Sequence, residues 1–483
     1  MKIFFVASEC VPFSKTGGLA DVVGALPQAL VARGHQVSVF LPRYRETEPG
    51  PVIVPRLPVR LGRQLHEPAV QDGRTLAGAR YFFLDYSPFY DREGLYVAGG
   101  KGYPDNPERF ALFSFAALEF LQRQGAPDVM HCHDWQSALV PVLRQSFYAR
   151  DPQLARVPIV LTVHNLGYQG TFSARVRERL GWPPALVSAE KLEWKARVNF
   201  LKGGLVCADF ITTVSRKYAE EIKTPDYGCG LHEVLRSRAD ALQGILNGVD
   251  YAAWNPETDP FLVAHYSRQD LSGKQACKKD LLEQFGLPTN TVSKPVVGII
   301  SRFVSQKGFD LIADVADALM KNDLLLVALG TGERACEEMF RHLARRFPCQ
   351  VGVRVAYDNA LAHKIEAGSD IFLMPSRYEP CGLNQIYSLK YGTVPVVRAT
   401  GGLDDTIEPF DPRSRQGTGF KFSPYAGSAM LECIEGALQL YSEAPGAWQR
   451  LVRNGMERDY SWGTSAGEYE ELYHRLVRRA QTG

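Results

Sequence analysis

Lys2-Ile3-Phe4-Phe5-Val6-Ala7-Ser8-Glu9, followed within a few positions by Lys15-Thr16-Gly17-Gly18-Leu19-Ala20-Asp21, decides the architecture. The first six residues have the length and apolar character of a buried strand, and residues 19–33 repeat their apolar positions with helical period. A strand, a glycine turn and a helix form the opening unit of a parallel sheet covered by helices. Working outward, residues 36–41, 80–84, 128–131, 158–163 and 210–214 read as further strands, and residues 108–123 and 135–148 as helices between them. A second series repeats the pattern, with strands expected at 295–301, 324–329, 351–355, 370–374 and 394–398. The prediction is an α/β chain with two doubly wound, Rossmann-like domains. Asn247-Gly248-Val249-Asp250 and the turn-rich 254–260 stretch put the hinge near residue 250, giving domains at 1–250 and 251–457. Residues 458–483 carry a helix over 465–479 with Tyr469 and Tyr473 as anchors, able to pack back on the first domain.

With 483 residues, the chain exceeds what one hydrophobic core usually serves, and its 45% hydrophobic and 22% charged residues are those of a globular protein. Fifty-five Lys and Arg against 53 Asp and Glu leave a net charge of +2, so no bulk field draws it to nucleic acid or anionic lipid. No apolar run approaches the roughly 20 residues of a membrane span, and the N-terminus lacks a signal-peptide core, so the expected location is cytoplasmic, with no nucleic-acid or membrane partner. Nine scattered cysteines without a CxxC spacing point to reduced thiols rather than a disulfide framework or a zinc ribbon.

The candidate chemistry falls where strands end. Gly17 and Gly18 let the backbone approach a ligand, free amides at the following helix start attract phosphate oxygens, and Lys15 adds a mobile charge. The turn is neither GxGxxG nor a Walker A loop, which removes the main support for a nicotinamide enzyme. His131-Cys132-His133-Asp134-Trp135 closes a strand at the sheet's carboxyl edge; a His-x-His metal pair lacks a third ligand at convincing spacing, so no metal is expected. His164-Asn165, with Gly167, Tyr168, Gln169 and Gly170 behind it, mixes imidazole, amide and aromatic groups suited to a sugar. In the second half, Arg302 and Lys307 share one strand-end loop, a clamp for a pyrophosphate whose charge grows as a bond breaks. Glu379-Pro380-Cys381-Gly382-Leu383-Asn384-Gln385 offers a carboxylate and then amides at a helix start. Thr400-Gly401-Gly402-Leu403-Asp404-Asp405 echoes residues 16–21, as expected of two related domains.

Together these segments, with Thr162-Val163-His164-Asn165 and Asn247-Gly248-Val249-Asp250, resemble the bacterial glycogen synthases and plant soluble starch synthases, in the family's order along the whole chain. The resemblance implies a GT-B fold with two domains facing a deep cleft. It implies transfer of glucose from ADP-glucose to the non-reducing end of an α-1,4-glucan with retained configuration, without a metal or other cofactor. Lys15, Gly17 and Gly18 are then first-domain contacts to the donor phosphates and acceptor. Arg302 and Lys307 hold the diphosphate. Glu379 binds glucose hydroxyls, Cys381 lines the same turn, and the Gly382 and Leu383 amides receive the distal phosphate. His164 sits near the transferred glucose with Asp134, Asn165 and Asn247 as polar neighbours, and Tyr357 resembles the aromatic stacked on adenine. Asn384 and Gln136 depart from the commoner bacterial Thr and His. A UDP-glucose-using synthase of the same fold and a non-catalytic glucan-binding protein are the alternatives.

Overall fold

The computed structural model describes residues 1–482, which divide into two compact units. The first holds Met1–Val214, Ala219–Gly248 and the C-terminal segment from Trp462; the second holds Ser215–Tyr218 and Val249–Ser461. The main boundary lies between Gly248 and Val249, beside the hinge expected near residue 250, and a short earlier segment, Ser215–Tyr218, also belongs to the second unit. There the Lys217 N–H donates to the Asp405 carboxylate at 3.0 Å, which ties the segment to the second unit.

In the first unit, strands β1 (Lys2–Val6), β2 (Gln36–Pro42), β3 (Val52–Val54), β4 (Ala69–Leu76), β5 (Ala79–Asp85), β6 (Val129–His133), β7 (Ile159–Val163), β8 (Phe210–Thr213) and β9 (Leu242–Gly244) form one sheet. Its order is β9-β8-β7-β6-β1-β2-β5-β4-β3. The strands from β9 to β5 pair in parallel, and β4 and β3 extend the edge antiparallel. That extension is absent from the periodicity reading, because β4 (AVQDGRTL) nowhere alternates apolar and polar residues. Alternate residues of β1 serve opposite faces. Ile3 and Phe5 pack with Val22 and Leu26 of α1 (Gly18–Ala32), while Phe4 meets Phe120 of α2 (Asn106–Gln124). The C-terminal helix (Trp462–Thr482) adds Trp462, Tyr469 and Tyr473 to the Ile3–Phe5 core, each such burial worth roughly 1.5–3 kcal/mol. The helix expected over 135–148 is two pieces, Asp134–Ser137 and Leu139–Ser146, with Pro141 at the start of the second.

The second unit holds β10 (Val296–Ile300), β11 (Leu325–Gly330), β12 (Val351–Val355), β13 (Ile371–Met374), β14 (Val394–Arg398) and β15 (Phe420–Phe422). All are parallel, in the order β12-β11-β10-β13-β14-β15. Both faces are covered: Leu326 and Ala328 of β11 lie in one buried cluster, and Leu325, Val327 and Leu329 in another. This is why β11 reads as an unbroken apolar run rather than an alternating one. In each unit the strand order reverses beside the first strand, between β1 and β6 and between β10 and β13. Open α/β sheets bind ligands outside the carboxyl ends of the strands at such a point.

Candidate active site

In the first unit the chain leaves β1 at Ser8 and Glu9, both buried. The Glu9 carboxylate accepts the Thr16 N–H, the Thr16 hydroxyl at 2.9 Å and the Gly17 N–H at 3.3 Å. Its other side takes the Tyr96 hydroxyl at 3.0 Å. Burial pushes the Glu9 pKa up against these bonds. The amides ahead of α1 were expected to be free for phosphate. Two of them are already engaged, because the chain folds back and offers them this internal anion. The Gly18 N–H has no hydrogen-bond partner among the described residues, and a Cβ on Gly17 or Gly18 would meet nothing within 4 Å. Lys15 pairs with Asp21 at 2.6 Å, both partly exposed.

At the ends of β6 and β7 the structure joins three expected residues. His133 Nδ1 lies 2.9 Å from His164 Nε2, and Asp134 accepts the His164 N–H at 2.7 Å. Burial keeps the imidazoles neutral, pulling His164 down to about 3 and His133 well below the usual range. Burial likewise pushes Asp134 up to about 8. Asp134 adopts φ of 55°, left-handed backbone that a residue with a Cβ takes only when its surroundings over-determine it. His131 is bound to Thr162 Oγ1 at 2.6 Å and to the Tyr473 hydroxyl at 2.7 Å, so the His-x-His pair diverges into separate networks. Asn165 accepts the Gly167 N–H at 2.9 Å, and Asn247 is buried with its Oδ1 unpartnered.

Beside them lies a hollow of about 550 Å³ lined by Trp135, Tyr168, Phe172 and Trp194, with Gln169 and Arg197 as polar groups. Trp194 escaped the sequence reading. It arrives on a small antiparallel sheet of Thr171–Ser173, Glu193–Trp194 and Arg197–Asn199, strands too short to carry a period.

In the second unit the loop after β10 carries Arg302 and Lys307, and the loop after β13 carries Glu379. Lys307 Nζ is 2.5 Å from Glu379 Oε2, which also accepts the Ser376 hydroxyl at 3.0 Å. Both side chains are largely buried. The exposed Arg302 guanidinium has no hydrogen-bond or ionic partner among the described residues. Gly308, at φ of 73°, sits where a Cβ would collide with the Pro375 carbonyl, so the two loops lie in backbone contact. Buried Arg398 braces the Glu379 loop, donating to the Arg377 carbonyl at 2.7 Å.

Gly382 takes φ of 70°, turning the chain into α3 (Asn384–Lys390). The N–H groups of Gly382 and Leu383 are without partners among the described residues, as an anion site requires. Asn384 ties this turn to β10 by donating to the Ile300 carbonyl at 2.8 Å. Cys381 is buried beneath, whereas Tyr357, beyond β12, is 83% exposed. The echoing Gly401 and Gly402 begin α4 (Gly401–Thr406) and are packed on backbone. A Cβ on either would strike the carbonyl of Glu379 or Cys381.

Residues 2–237 match the starch synthase catalytic domain, and residues 285–453 match glycosyl transferases group 1. The chain is 55% identical to a glycogen synthase of Koribacter versatilis, over 98% of each chain. It is 44% identical to glycogen synthase 1 of Geobacter metallireducens, over 99% of this chain and 97% of that one. The catalytic domain of starch synthase IV from Arabidopsis thaliana, solved bound to ADP and acarbose, superposes with a TM-score of 0.89 at 35% identity, over 99% of each chain. A sucrose-phosphate synthase from Thermosynechococcus elongatus shares the fold at a TM-score of 0.61 and 18% identity, over 99% of each chain. With a Rossmann-type sheet in each unit and strand-end loops at both switch points, the chain belongs to the glycogen and starch synthase family of GT-B glycosyltransferases.

Proposed function

We propose that this chain transfers glucose from ADP-glucose to the non-reducing end of an α-1,4-glucan, with retention of anomeric configuration. The observation that carries the reading is the second unit's switch point. It presents a free guanidinium, a buried Lys–Glu pair and two unpartnered amides within loops braced against one another. Arg302 and Lys307 stabilise the departing diphosphate, so the leaving-group charge is met by protein cations rather than by a metal ion. The Gly382 and Leu383 amides take the distal phosphate. Glu379, oriented by Lys307, accepts from glucose hydroxyls, and Tyr357 is the platform for the base. The first unit supplies Lys15, the Gly17-Gly18 turn, and neutral His164 with Asp134, Asn165 and Asn247. A neutral imidazole adds no positive charge beside an oxocarbenium-like glucose. The aromatic hollow at Trp135 and Trp194 suits an apolar sugar face, so it is assigned to the glucan. ADP and acarbose, bound by the starch synthase IV relative, have the same two chemistries.

Retention by double displacement needs a free carboxylate as nucleophile. Glu379 is held by Lys307 and Ser376, and Asp134 by the His164 amide. The reading is therefore substitution on one face. The bond from the glucose anomeric carbon to the phosphate oxygen breaks, the acceptor hydroxyl bonds to that carbon from the same side, and its proton passes to the departing diphosphate. Incubating the intact chain with a glycogen primer and either ADP-glucose or UDP-glucose tests the assignment, with the new linkage read by proton NMR. An α-linkage formed faster from ADP-glucose supports it. A faster reaction with UDP-glucose would reassign the donor, a covalent glucosyl adduct on Glu379 or Asp134 would replace the mechanism, and glucan binding without turnover would replace the activity.

A further inference from the structure

On the first unit, at the amino ends of β7 and β8 and thus opposite the switch point, lies a second hollow of about 510 Å³. Three arginines from distant parts of the sequence line it: Arg156 before β7, Arg238 after the helix His232–Ser237, and Arg479 on the C-terminal helix. Its one lining carboxylate, Asp209, is already neutralised. Arg144 Nη2 reaches both its oxygens, at 2.9 and 3.1 Å, and the Ile159 N–H donates to it at 2.8 Å. Arg156 and Arg479 have no ionic partner among the described residues. Arg238 is locked in place by donating to the Leu205 carbonyl at 2.9 Å, the Val206 carbonyl at 2.5 Å and the Ala208 carbonyl at 2.7 Å. Its hydrogen bonds go to dipoles only, and the one carboxylate that acts on its half-buried charge, Asp209, is already shared with Arg144. A chain with a net charge of only +2 thus concentrates uncompensated guanidinium groups in one concavity.

From this geometry we infer that the hollow is a second anion site, taking a multiply charged phosphate compound apart from the donor site. Guanidinium forks match phosphate oxygens in pairs, and two free ones, Arg156 and Arg479, backed by the Arg238 charge, favour two or more phosphate groups over a single carboxylate. That chemistry is shared by free oligophosphates and by phosphate esters carried on a glucan chain.

Titration calorimetry of the intact chain with tripolyphosphate tests the inference, using the wild type, Arg156→Ala/Arg479→Ala and Arg302→Ala. The arginines substituted in the double variant are exposed, so its melting temperature and its glucosyl transfer without added phosphate should match the wild type. The expected result is two binding events in the wild type, with the double variant weakened at least tenfold in one and Arg302→Ala weakened in the other. Repeating the titration with phosphorylated maltoheptaose names the source: tighter tripolyphosphate binding assigns a free oligophosphate, tighter glucan phosphate an ester on the polymer. A double variant that binds both probes as the wild type does would overturn the site. If only Arg302→Ala is without effect, the donor assignment fails and the hollow stands.

Discussion

The two Thr-Gly-Gly-Leu turns, at residues 16–19 and 400–403, are near-copies in sequence and opposites in use. Gly17 and Gly18 open on space, whereas Gly401 and Gly402 are pressed against the backbone of the Glu379 loop. The first pair leaves room for something outside the chain to come close. The second leaves room for the chain itself, and Gly402 donates to the Glu379 carbonyl at 3.2 Å, seating the loop that holds the buried carboxylate. The same split recurs in the cations of the second unit: Arg302 is unpartnered, and Lys307 is held by Glu379. A motif therefore does not carry its role with it; what the turn packs against decides.

The largest effect is expected from alanine at the packed turn. Gly401→Ala or Gly402→Ala drives a methyl group into a carbonyl oxygen, costing roughly 3 kcal/mol in the second unit and abolishing transfer. Gly17→Ala and Gly18→Ala should melt with the wild type and raise the donor KM instead. Melting curves and steady-state kinetics on the four variants separate the cases, and equal destabilisation of both turns would erase the distinction. Next, Arg302→Ala should lose roughly 100- to 1,000-fold in kcat with stability unchanged. Lys307→Ala should lose activity and also about 3 kcal/mol, since it strands the buried Glu379 carboxylate. Urea titration reads that difference.

Glu9→Gln keeps one oxygen for the Thr16 and Gly17 N–H groups, but it removes the charge they are bonded to and replaces the oxygen that accepts the Thr16 and Tyr96 hydroxyls with an N–H donor. The expected outcome is about 1–3 kcal/mol of lost stability and a roughly 10- to 100-fold fall in kcat/KM, measured by calorimetry and kinetics. The smallest effect is on pH dependence. His164 stays neutral in the native chain down to about pH 3, whereas an unfolded histidine gains its proton near 6.5. The unfolded state then binds more protons in that window, so native stability falls as pH drops below 6.5. For this group the slope is roughly 1.4 kcal/mol per pH unit between 6 and 4. Urea midpoints at pH 5 and pH 7 should therefore differ less in His164→Gln than in the wild type.

Strand-end residues were legible because an apolar run followed by polar residues marks where a parallel sheet exposes its carboxyl edge. His133, Asp134, His164, Arg302 and Glu379 all follow that rule. Glu9 stood in the same place without a role, since its partners are amides that the chain brings back only on folding. Trp194 was hidden because its sheet is two or three residues per strand. The unequal fates of the two glycine turns were invisible for a related reason: a glycine permits close approach without saying what approaches.

Elongation of a glycogen primer from ADP-glucose, following ADP release and glucose incorporation together in the wild type and Arg302→Ala, tests the central claim most directly. The account predicts one ADP released for each glucose added and a joint collapse of both in the variant. Nucleotide released without incorporation, or incorporation that survives loss of Arg302, would contradict it.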